Sequence, residues 1–438
     1  MNMMNILLTA LIALSLNPVQ SAAPQPNFYA LTNARIVTVT GGVIERGTVV
    51  IQGDRITAVG ANVSVPAGAT VIDCTGLSVY PGMIDSGTRL GITEIGSDSR
   101  TQDFDEVGDL TPQAEALTAV NPNSVLIPVT RVNGVTTSLA EPQGGLFPGT
   151  AALINLHGYT PAQMLVPGGR AMVMNFPVSG RRGRFDRRSD EDIEKAEKEA
   201  IKKLNDVWDE ASLYSRIDSA YAANPDRNTT PEYNPEIRAL IPVVRGDMML
   251  IVNVDRAADI KAALKWIKAR SISRVVLSGV AEGWRVADDI AAAGIACIVG
   301  PVLTTPARDS DRYDKAYANA GLLAAAGVKI AIKTEEAENV RNLPYHAGFA
   351  ATYGLGADAA LRAVTINPAE IFGVADQIGS ISVGKKANLF VTDGDPFETR
   401  TQVKHLFIEG YQVPLTSRQT ELYEEFLHRN PGLQKEAN

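Results

Sequence analysis

The sequence has little of several residues that define whole classes of protein. Only 2 of its 438 residues are cysteine, and Cys74 and Cys297 each lie in an apolar, strand-like run, which favours two buried free thiols over a disulfide. Acidic residues outnumber basic ones by 49 to 41, and no basic tract is longer than a few residues. Because a nucleic-acid surface needs clustered Lys and Arg to displace phosphate counterions, nucleic acid is not an expected partner.

The remaining composition is that of an ordinary globular protein, with 45% hydrophobic and 21% charged residues. Such a composition excludes a largely disordered chain. The length suggests two or three domains, although a single α/β barrel can take about 250 residues.

An apolar run at residues 6–16 is followed by Pro18 and by three small residues at 21–23. The run has the length of a signal-peptide core and is too short to span a bilayer, although no Lys or Arg precedes it. We therefore expect a signal peptide over 1–21 and an exported protein, periplasmic or secreted; a buried N-terminal helix is the alternative. Since no second apolar stretch of about 20 residues follows, no transmembrane segment is expected after processing.

Three patterns succeed one another along the rest of the chain. Residues 27–80 contain short alternating strands with tight turns, which are typical of a small antiparallel sheet. Apolar strands followed by helical stretches fill 81–372, and their number suits a closed barrel of parallel strands. Strands return over 373–415 and most simply pair with the first segment, before a polar helix and tail at 416–438.

One charged stretch, residues 181–211, interrupts the barrel pattern. It begins with a basic segment and continues as a helix whose charges alternate in sign at i, i+4 spacing, which favours a solvated surface helix. The alternative is a lid or a docking insertion that presents basic side chains to an anionic ligand. Those side chains are Arg181, Arg182, Arg184, Arg187 and Arg188.

Two motifs, in the right order, resemble those of the amidohydrolase superfamily. The first, similar to the family's junction between its small β domain and barrel strand 1, includes Val79-Tyr80-Pro81-Gly82-Met83-Ile84-Asp85. The second, similar to the return to that domain, spans 367–396 and includes Asn367-Pro368-Ala369-Glu370-Ile371-Phe372-Gly373 and Asp393-Gly394-Asp395-Pro396. The sequence most resembles the imidazolonepropionase-like group. The resemblance implies an α/β fold: a distorted (β/α)8 TIM-type barrel with a small β-sandwich built from both chain ends.

The resemblance also implies an activity and a metal site. The activity is hydrolysis of C–N bonds in non-peptide or cyclic amides, with zinc as the expected metal. In the family, two His at i, i+2 on strand 1, one His on each of strands 5 and 6, and an Asp on strand 8 hold one or two metals at the barrel mouth. Such a metal lowers the pKa of its bound water to about 7.

The chain lacks most of those ligands. Gly87 and Arg89 stand at the two strand 1 histidine positions. The chain has only four histidines, and two of them fall outside the barrel; the others, His157 and His346, are more simply hydrogen-bonded or exposed side chains. We therefore predict no family-type metal site and no cofactor, while leaving open a metal held by carboxylates alone.

Polar and small residues stand at the later ligand positions. Asn253 or Asp255 takes the strand 5 position, Gly279 the strand 6 position, and Glu335 replaces the strand 8 Asp. Since buried charges must be paired, we predict that the Arg89 guanidinium bridges one or both carboxylates with N to O distances near ~2.8 Å. The alternative is that Arg89 tilts out to solvent.

Two further residues are candidates for the pocket that Arg89, Gly87, Asn253 and Gly279 would line. Glu94 lies in the acidic loop after strand 1, at the face of a barrel that carries function. His157 lies at the end of an apolar strand, facing a loop.

Three functions are compatible with the sequence. The first is an exported amidohydrolase-fold protein that has lost its metal chemistry and binds a small-molecule or peptide ligand, or serves as companion subunit to a paralogous amidohydrolase in a homo- or hetero-oligomer. The second is an active hydrolase in which Glu335 and Asp255 share general acid and base work. The third is a structural envelope protein, which would have a filled barrel mouth.

Overall fold

The computed structural model describes residues 27–181 and 186–429. The predicted signal peptide, 1–21, lies outside the described residues, and so do Arg182 and Arg184 of the insertion. Both cysteines are described, and both are buried and unpaired, as predicted.

Strands from both ends of the chain form one eight-stranded sheet, and the strands between them form a second. The N-terminal strands of the first sheet are β1 (Phe28–Val37), β2 (Val43–Gln52), β3 (Arg55–Gly60), β4 (Thr70–Asp73) and β5 (Ser78–Pro81). The strands of the second sheet are β6 (Met83–Thr88), β7 (Val135–Ala140), β8 (Gly149–Asn155), β9 (Leu165–Asn175), β10 (Met249–Val254), β11 (Val275–Gly279), β12 (Ala296–Val299) and β13 (Ile330–Ile332). The C-terminal strands of the first sheet are β14 (Leu389–Thr392), β15 (Val403–Ile408) and β16 (Tyr411–Gln412).

The first sheet joins the two chain ends through hydrogen bonds between β5 and β14, which run antiparallel with Leu389 opposite Pro81. β1 pairs antiparallel with β2 but parallel with β4 and β5, so this sheet is mixed rather than wholly antiparallel. One face buries an apolar cluster that includes Leu31, Ile51 and Phe407. Residues from both ends of the sequence are therefore needed to complete this layer, as the family resemblance implies.

The second sheet curls into a nearly closed barrel in the order β6 to β13. Its strands are parallel to their neighbours except β8, which runs antiparallel to both β7 and β9. The connection at 141–148 explains this departure from an all-parallel barrel, because a parallel return needs a crossover of a dozen or more residues and a hairpin does not. One consequence is that the end of β8 points away from the mouth.

Backbone hydrogen bonds close the barrel between its first and last strands at the mouth. The amide of Glu335 donates to the carbonyl of Gly87 over 3.0 Å, and the amide of Arg89 donates to the carbonyl of Glu336 over 2.9 Å. The strand 1 motif and the segment after β13 are therefore held side by side.

The helices lie around the barrel, and all but the last, residues 418–429, bury apolar side chains. They are α1 (Ala116–Ala119), α2 (Leu126–Arg131), α3 (Pro161–Met164), α4 (Asp190–Ala223), α5 (Pro235–Ala239), α6 (Ile241–Arg245), α7 (Ala257–Ala269), α8 (Ala287–Ala293), α9 (Lys315–Ala325), α10 (Leu343–Ala350), α11 (Ala357–Ala363), α12 (Ile366–Ile371) and α13 (Arg418–Arg429). In the part of the chain that the structure describes, no helix has the length and apolar character needed to cross a membrane.

The charged insertion forms α4, which is longer than the sequence pattern indicated. Ser189 caps its first turn by accepting from the amide of Asp192, and its early turns are exposed with the ion pair Glu194–Lys198. Its middle turns are docked, because Trp208 is buried with its ring 5.1 Å from that of Trp266 on α7, while its last turns are again mostly exposed. The expected surface helix is therefore half docked on the barrel.

Candidate functional site

A layer of polar side chains closes the barrel just below its mouth. Alternate side chains of a strand share a face, so positions two apart both point inward. The central inward residues are apolar and form one cluster that includes Leu139, Val173, Ile251, Val276 and Ala331. Two residues further along each of these strands, toward the mouth, lie Glu141, Asn175, Asn253, Ser278 and Lys333. We call these five residues the polar layer.

Lys333 supplies the positive charge of the polar layer. Its side chain is almost wholly buried, and Nζ lies 3.5 Å from Oε2 of Glu335. Burial alone would lower the pKa of this amine, but the carboxylates of Glu141, Glu335 and Asp255 raise it above its usual value. The ammonium is therefore charged at neutral pH and is shared among three carboxylates.

Amide side chains hold Glu141 in place beside Lys333. Nδ2 of Asn253 donates to Oε1 of Glu141 over 2.9 Å and to Oδ1 of Asn175 over 3.0 Å. Nδ2 of Asn175 donates in turn to the carbonyls of Gly144 and Gly145 over 2.9 and 2.8 Å. Asn253, proposed from sequence as a pocket residue, therefore positions a carboxylate that sequence reasoning did not single out.

Gly87 leaves the room that Lys333 and Glu141 fill. A Cβ atom at position 87 would lie 2.7 Å from Oε2 of Glu141 and 2.8 Å from Cδ of Lys333. Real Cβ atoms essentially never approach other atoms this closely, so a histidine at position 87 would collide with both side chains.

The residues present do not fit the metal that the family implies. Besides the occupied space at position 87, a Cβ at Gly279 would lie 2.4 Å from Oδ1 of Asp255, and φ at Gly279 is +87°. Across the described ranges, no group of three or more His, Cys, Asp or Glu side chains is arranged to bind a metal ion. The ammonium of Lys333 adds a like charge where a cation would have to sit.

The predicted ion pair of Arg89 is wrong. Its guanidinium lies 5.3 Å from the ring centre of Phe104, and Nη2 makes only a long contact of 3.4 Å to the backbone carbonyl of Glu335. Within the described chain, no carboxylate lies within ion-pair distance of Arg89, and its Nε is buried without a hydrogen-bond partner. Lys333 instead approaches the carboxylates, because it points inward from β13 whereas Arg89 turns under the loop that carries Phe104.

An open pocket of about 560 Å³ lies above the polar layer at the ends of β10 to β13. Asp255, Gly279 and Glu335 line it, so three sequence-proposed residues meet in one place. Asp255 reaches solvent through the pocket, yet the protein atoms crowded around its carboxylate raise its pKa, and Lys333 only partly opposes this rise. The backbone amide of Ala281 donates to Oδ1 of Asp255 over 3.3 Å.

A second buried carboxylate, Asp85, joins the first strand to the last. Its Oδ1 accepts from the amides of Thr334 and Gly87 over 3.1 and 3.2 Å, and its Oδ2 accepts from the hydroxyl of Thr334 over 2.6 Å. Burial raises its pKa to about 7, although these hydrogen bonds favour the charged form. Asp85 does not line the pocket, and its contacts indicate a role in closing the barrel.

Two proposed pocket residues do not line this pocket. Glu94 accepts from Nδ2 of Asn121 and Oγ of Ser124, both over 3.0 Å, and so ties its loop to the start of α2. His157 follows β8, whose antiparallel course carries it to the opposite end of the barrel, where its ring lies 5.2 Å from that of Tyr411. The contacts that the structure shows for both side chains are to protein groups outside the pocket.

Comparison with known proteins identifies the family to which this chain belongs. Residues 154–413 match the Amidohydrolase family. An amidohydrolase of Thermotoga maritima has 23% sequence identity and a TM-score of 0.75, with 89% of this chain and 100% of that chain covered. Molinate hydrolase has 16% identity and a TM-score of 0.55, with 89% and 95% covered. A prolidase complexed with N-methylphosphonate-L-proline has 17% identity and a TM-score of 0.53, with 88% and 99% covered. At these identities the likeness shows a shared fold.

A curated relative matches only a short segment. The N-substituted formamide deformylase of Arthrobacter pascens is 45% identical over 60 residues, which are 12% of this chain and 11% of that protein. The chain thus matches about a tenth of the length of this relative. None of these matches singles out the imidazolonepropionase-like group. The family match covers more than half of the chain, and the protein belongs to the Amidohydrolase family.

Proposed function

We propose that this amidohydrolase-family protein binds a small-molecule or peptide ligand at its barrel mouth and does not perform metal-dependent hydrolysis. The observation that carries the proposal is the place of Lys333, whose side chain fills the room that a histidine at position 87 would need. A charged ammonium replaces both a ligand and the positive charge of the metal.

Charge balance supports this proposal. The carboxylates of Glu141, Asp255 and Glu335 face Lys333, so the ammonium already offsets part of their charge. A divalent cation placed among them would be repelled by Lys333, and among the described residues no histidine lines the pocket. Without a bound metal, water keeps its ordinary pKa, so any hydrolysis would need a general base in place of the metal.

The pocket supports binding over a purely structural role. A structural envelope protein would have a filled mouth, whereas this pocket of about 560 Å³ lies within the range of about 300–1,000 Å³ that ligand sites occupy. Its floor carries charged groups, which are costly to maintain unless they meet a partner.

A second candidate function is hydrolysis of C–N bonds by carboxylates alone. The observation that favours it is Asp255, whose raised pKa and position in the pocket beside Glu335 suit a general acid. Two nearby carboxylates in different environments can divide acid and base work. Lys333 argues against this candidate, because its charge stabilises the ionised form of Asp255.

Metal analysis combined with turnover assays tests the proposal. Protein purified without chelator, and then incubated with Zn²⁺ and desalted, is analysed by plasma mass spectrometry and assayed with a formamide, a cyclic imide and a dipeptide. We expect substoichiometric metal and no turnover. Stoichiometric zinc with turnover that a chelator removes would overturn the proposal, while metal-free turnover that Asp255→Asn abolishes would establish the second candidate.

Export and a companion role extend the proposal. The apolar run at 6–16 is the support for export, and the family fold without its ligands is the support for a companion role. Cell fractionation with the full-length chain tests the first, with N-terminal sequencing to locate cleavage after Ser21. Co-purification with a paralogous amidohydrolase, followed by the mass of the complex in solution, tests the second.

A further inference from the structure

The pocket at the barrel mouth carries opposite charges on two different layers of the fold. Asp255 and Glu335 follow barrel strands β10 and β13, so their carboxylates belong to the ring of strands. Lys315 begins helix α9, outside that ring, and lines the same pocket. The spatial separation of the charged groups favours a ligand that is itself charged at two ends.

The strand side of the pocket has excess negative charge. Lys333 approaches Asp255 and Glu335 from below but is shared by three carboxylates, and Arg256 adds a second, smaller effect that also lowers the pKa of Asp255. Asp255 and Glu335 also repel each other, which contributes to the raised pKa of Asp255. Among the described residues, Asp255 has no ion pair within 4.0 Å, so an arriving cation would relieve an existing repulsion.

Lys315 is a pocket cation whose donors remain available to an anion, whereas the donors of Arg308 and Arg256 are engaged by protein groups. Arg308 is committed to Glu282, with Nη2 at 2.7 Å from its Oε2. Arg256 donates to the backbone carbonyls of Ser179 and Arg181, each over 2.5 Å. Across the described ranges, the ammonium of Lys315 has no carboxylate within 4.0 Å.

Trp284 holds the Lys315 ammonium at the pocket wall. Nζ lies 4.4 Å from the ring centre of Trp284, and the guanidinium of Arg285 lies 4.1 Å from the same ring. A cation on an aromatic face keeps its charge and most of its donors free. The amine is thus positioned without being neutralised, as an anchor for an anionic group requires.

We infer that the pocket takes a ligand with an ammonium at one end and a carboxylate at the other. The ammonium binds between Asp255 and Glu335, and the carboxylate binds to Lys315. This inference rests on the proposed ligand-binding function and names the chemical class of its ligand.

Binding of matched probes by isothermal titration calorimetry tests the inference. The probes are ω-amino acids of four to eight carbons, with two single-charge relatives of each: the amide, which lacks the carboxylate, and the N-acetyl derivative, which lacks the ammonium. Because each charged contact is a charge-assisted hydrogen bond, we expect the best amino acid to bind about tenfold or more tightly than either relative.

Two variants assign the two ends of the ligand. Asp255→Asn should abolish the preference over the N-acetyl derivative and keep the preference over the amide, whereas Lys315→Gln should do the reverse. Lys198→Gln, on the exposed turns of α4, is the control and should keep both preferences. Circular dichroism checks that each variant is folded.

The outcomes separate this inference from the proposed function. Absence of binding by every probe length, equal binding of the single-charge relatives, or preferences that survive both variants would each overturn the inference. Those results would leave the metal and turnover measurements to decide the proposed function independently. Stoichiometric zinc with turnover would overturn the proposed function even where the probes bind.

Discussion

The hydroxyl of Thr334 donates to Oδ2 of Asp85 over 2.6 Å, and the amide of Thr334 donates to Oδ1 of the same carboxylate over 3.1 Å. Asp85 lies on the first barrel strand and Thr334 follows the last one. The two hydrogen bonds between these residues therefore join the first strand to the last through a side chain. The side chain takes the place of backbone partners that the two strands would otherwise lack. It does so while buried, which gives the closure a dependence on pH.

We expect the contribution of Asp85 to the free energy of unfolding to fall as the pH rises from about 4 to about 7. Its folded-state pKa of about 7 lies above the ordinary value of 3.8, so the folded state binds a proton that the unfolded state has released. The stabilisation is fully present below 3.8 and is lost as the pH rises through 7. Across this window the difference amounts to at most about 4 kcal/mol.

Urea denaturation at several pH values measures this effect in the wild-type protein and in Asp85→Asn. An amide can still accept from Thr334 and Gly87, but it does not ionise over this range. The variant should therefore lack the Asp85 component of the slope. Identical slopes in both proteins would contradict the assignment.

Replacement of Lys333 by Met should destabilise the protein strongly. The change keeps the length of the side chain but leaves Glu141, Glu335 and Asp255 without their shared ammonium, and removing one partner of a buried ion cluster costs about 3–5 kcal/mol. Lys329→Met, which removes an exposed pair with Glu370, is the matched control and should cost below about 1 kcal/mol. Similar losses for both variants, measured by urea denaturation at pH 7, would refute the central role of Lys333.

The fold could be predicted from the sequence to a large extent. The strand 1 motif and the return motif correctly implied a barrel and a sheet shared by the two chain ends. These motifs lie where the chain passes from the sheet into the barrel and from the barrel back to the sheet. The direction of β8 could not be read from residues 151–156, since an inward-outward pattern is the same in either direction. Only the connection at 141–148 indicates the direction of β8. It is shorter than the dozen or more residues that a parallel crossover needs, so the two strands must run antiparallel.

The site could be predicted only in part. The sequence identified the positions where ligands were missing, and Asp255, Gly279 and Glu335 do meet at one pocket. It did not identify Lys333, although strand parity was a sufficient signal: two residues after the apolar Ala331, Lys333 must face inward. Arg89 was chosen by the same argument, but the register shift between Asp85 and Thr88 breaks the alternation there.

Replacement of Arg89 by Met should have a small effect on stability. Arg89 has a cation–π contact with Phe104 and a long contact to a carbonyl, which together contribute about 1 kcal/mol. We expect a loss of this size in urea denaturation, well below that of Lys333→Met. A loss equal to that of Lys333→Met would indicate that Arg89 does neutralise a buried carboxylate and would restore the ion pair expected from sequence.

The contact between Gly87 and Lys333 predicts a coupling between their substitutions. Gly87→Ala places a methyl group 2.8 Å from Cδ of Lys333 and should cost about 1–3 kcal/mol, since overpacking forces one of the two side chains to move. In a Lys333→Ala background the Cδ atom is gone and the contact of 2.7 Å with Oε2 of Glu141 remains, so the same substitution should cost less but not nothing.

A double-mutant cycle in urea denaturation measures this coupling, which we expect to be about 1 kcal/mol or more. Gly96→Ala is the control, because its Cβ would meet only Oε1 of Glu338 at an ordinary 3.5 Å and should be uncoupled from position 333. Additive costs for Gly87→Ala and Lys333→Ala would mean that the lysine does not occupy the space vacated at position 87. A histidine at position 87 could then be accommodated, and the place of Lys333 would no longer exclude a family-type metal site.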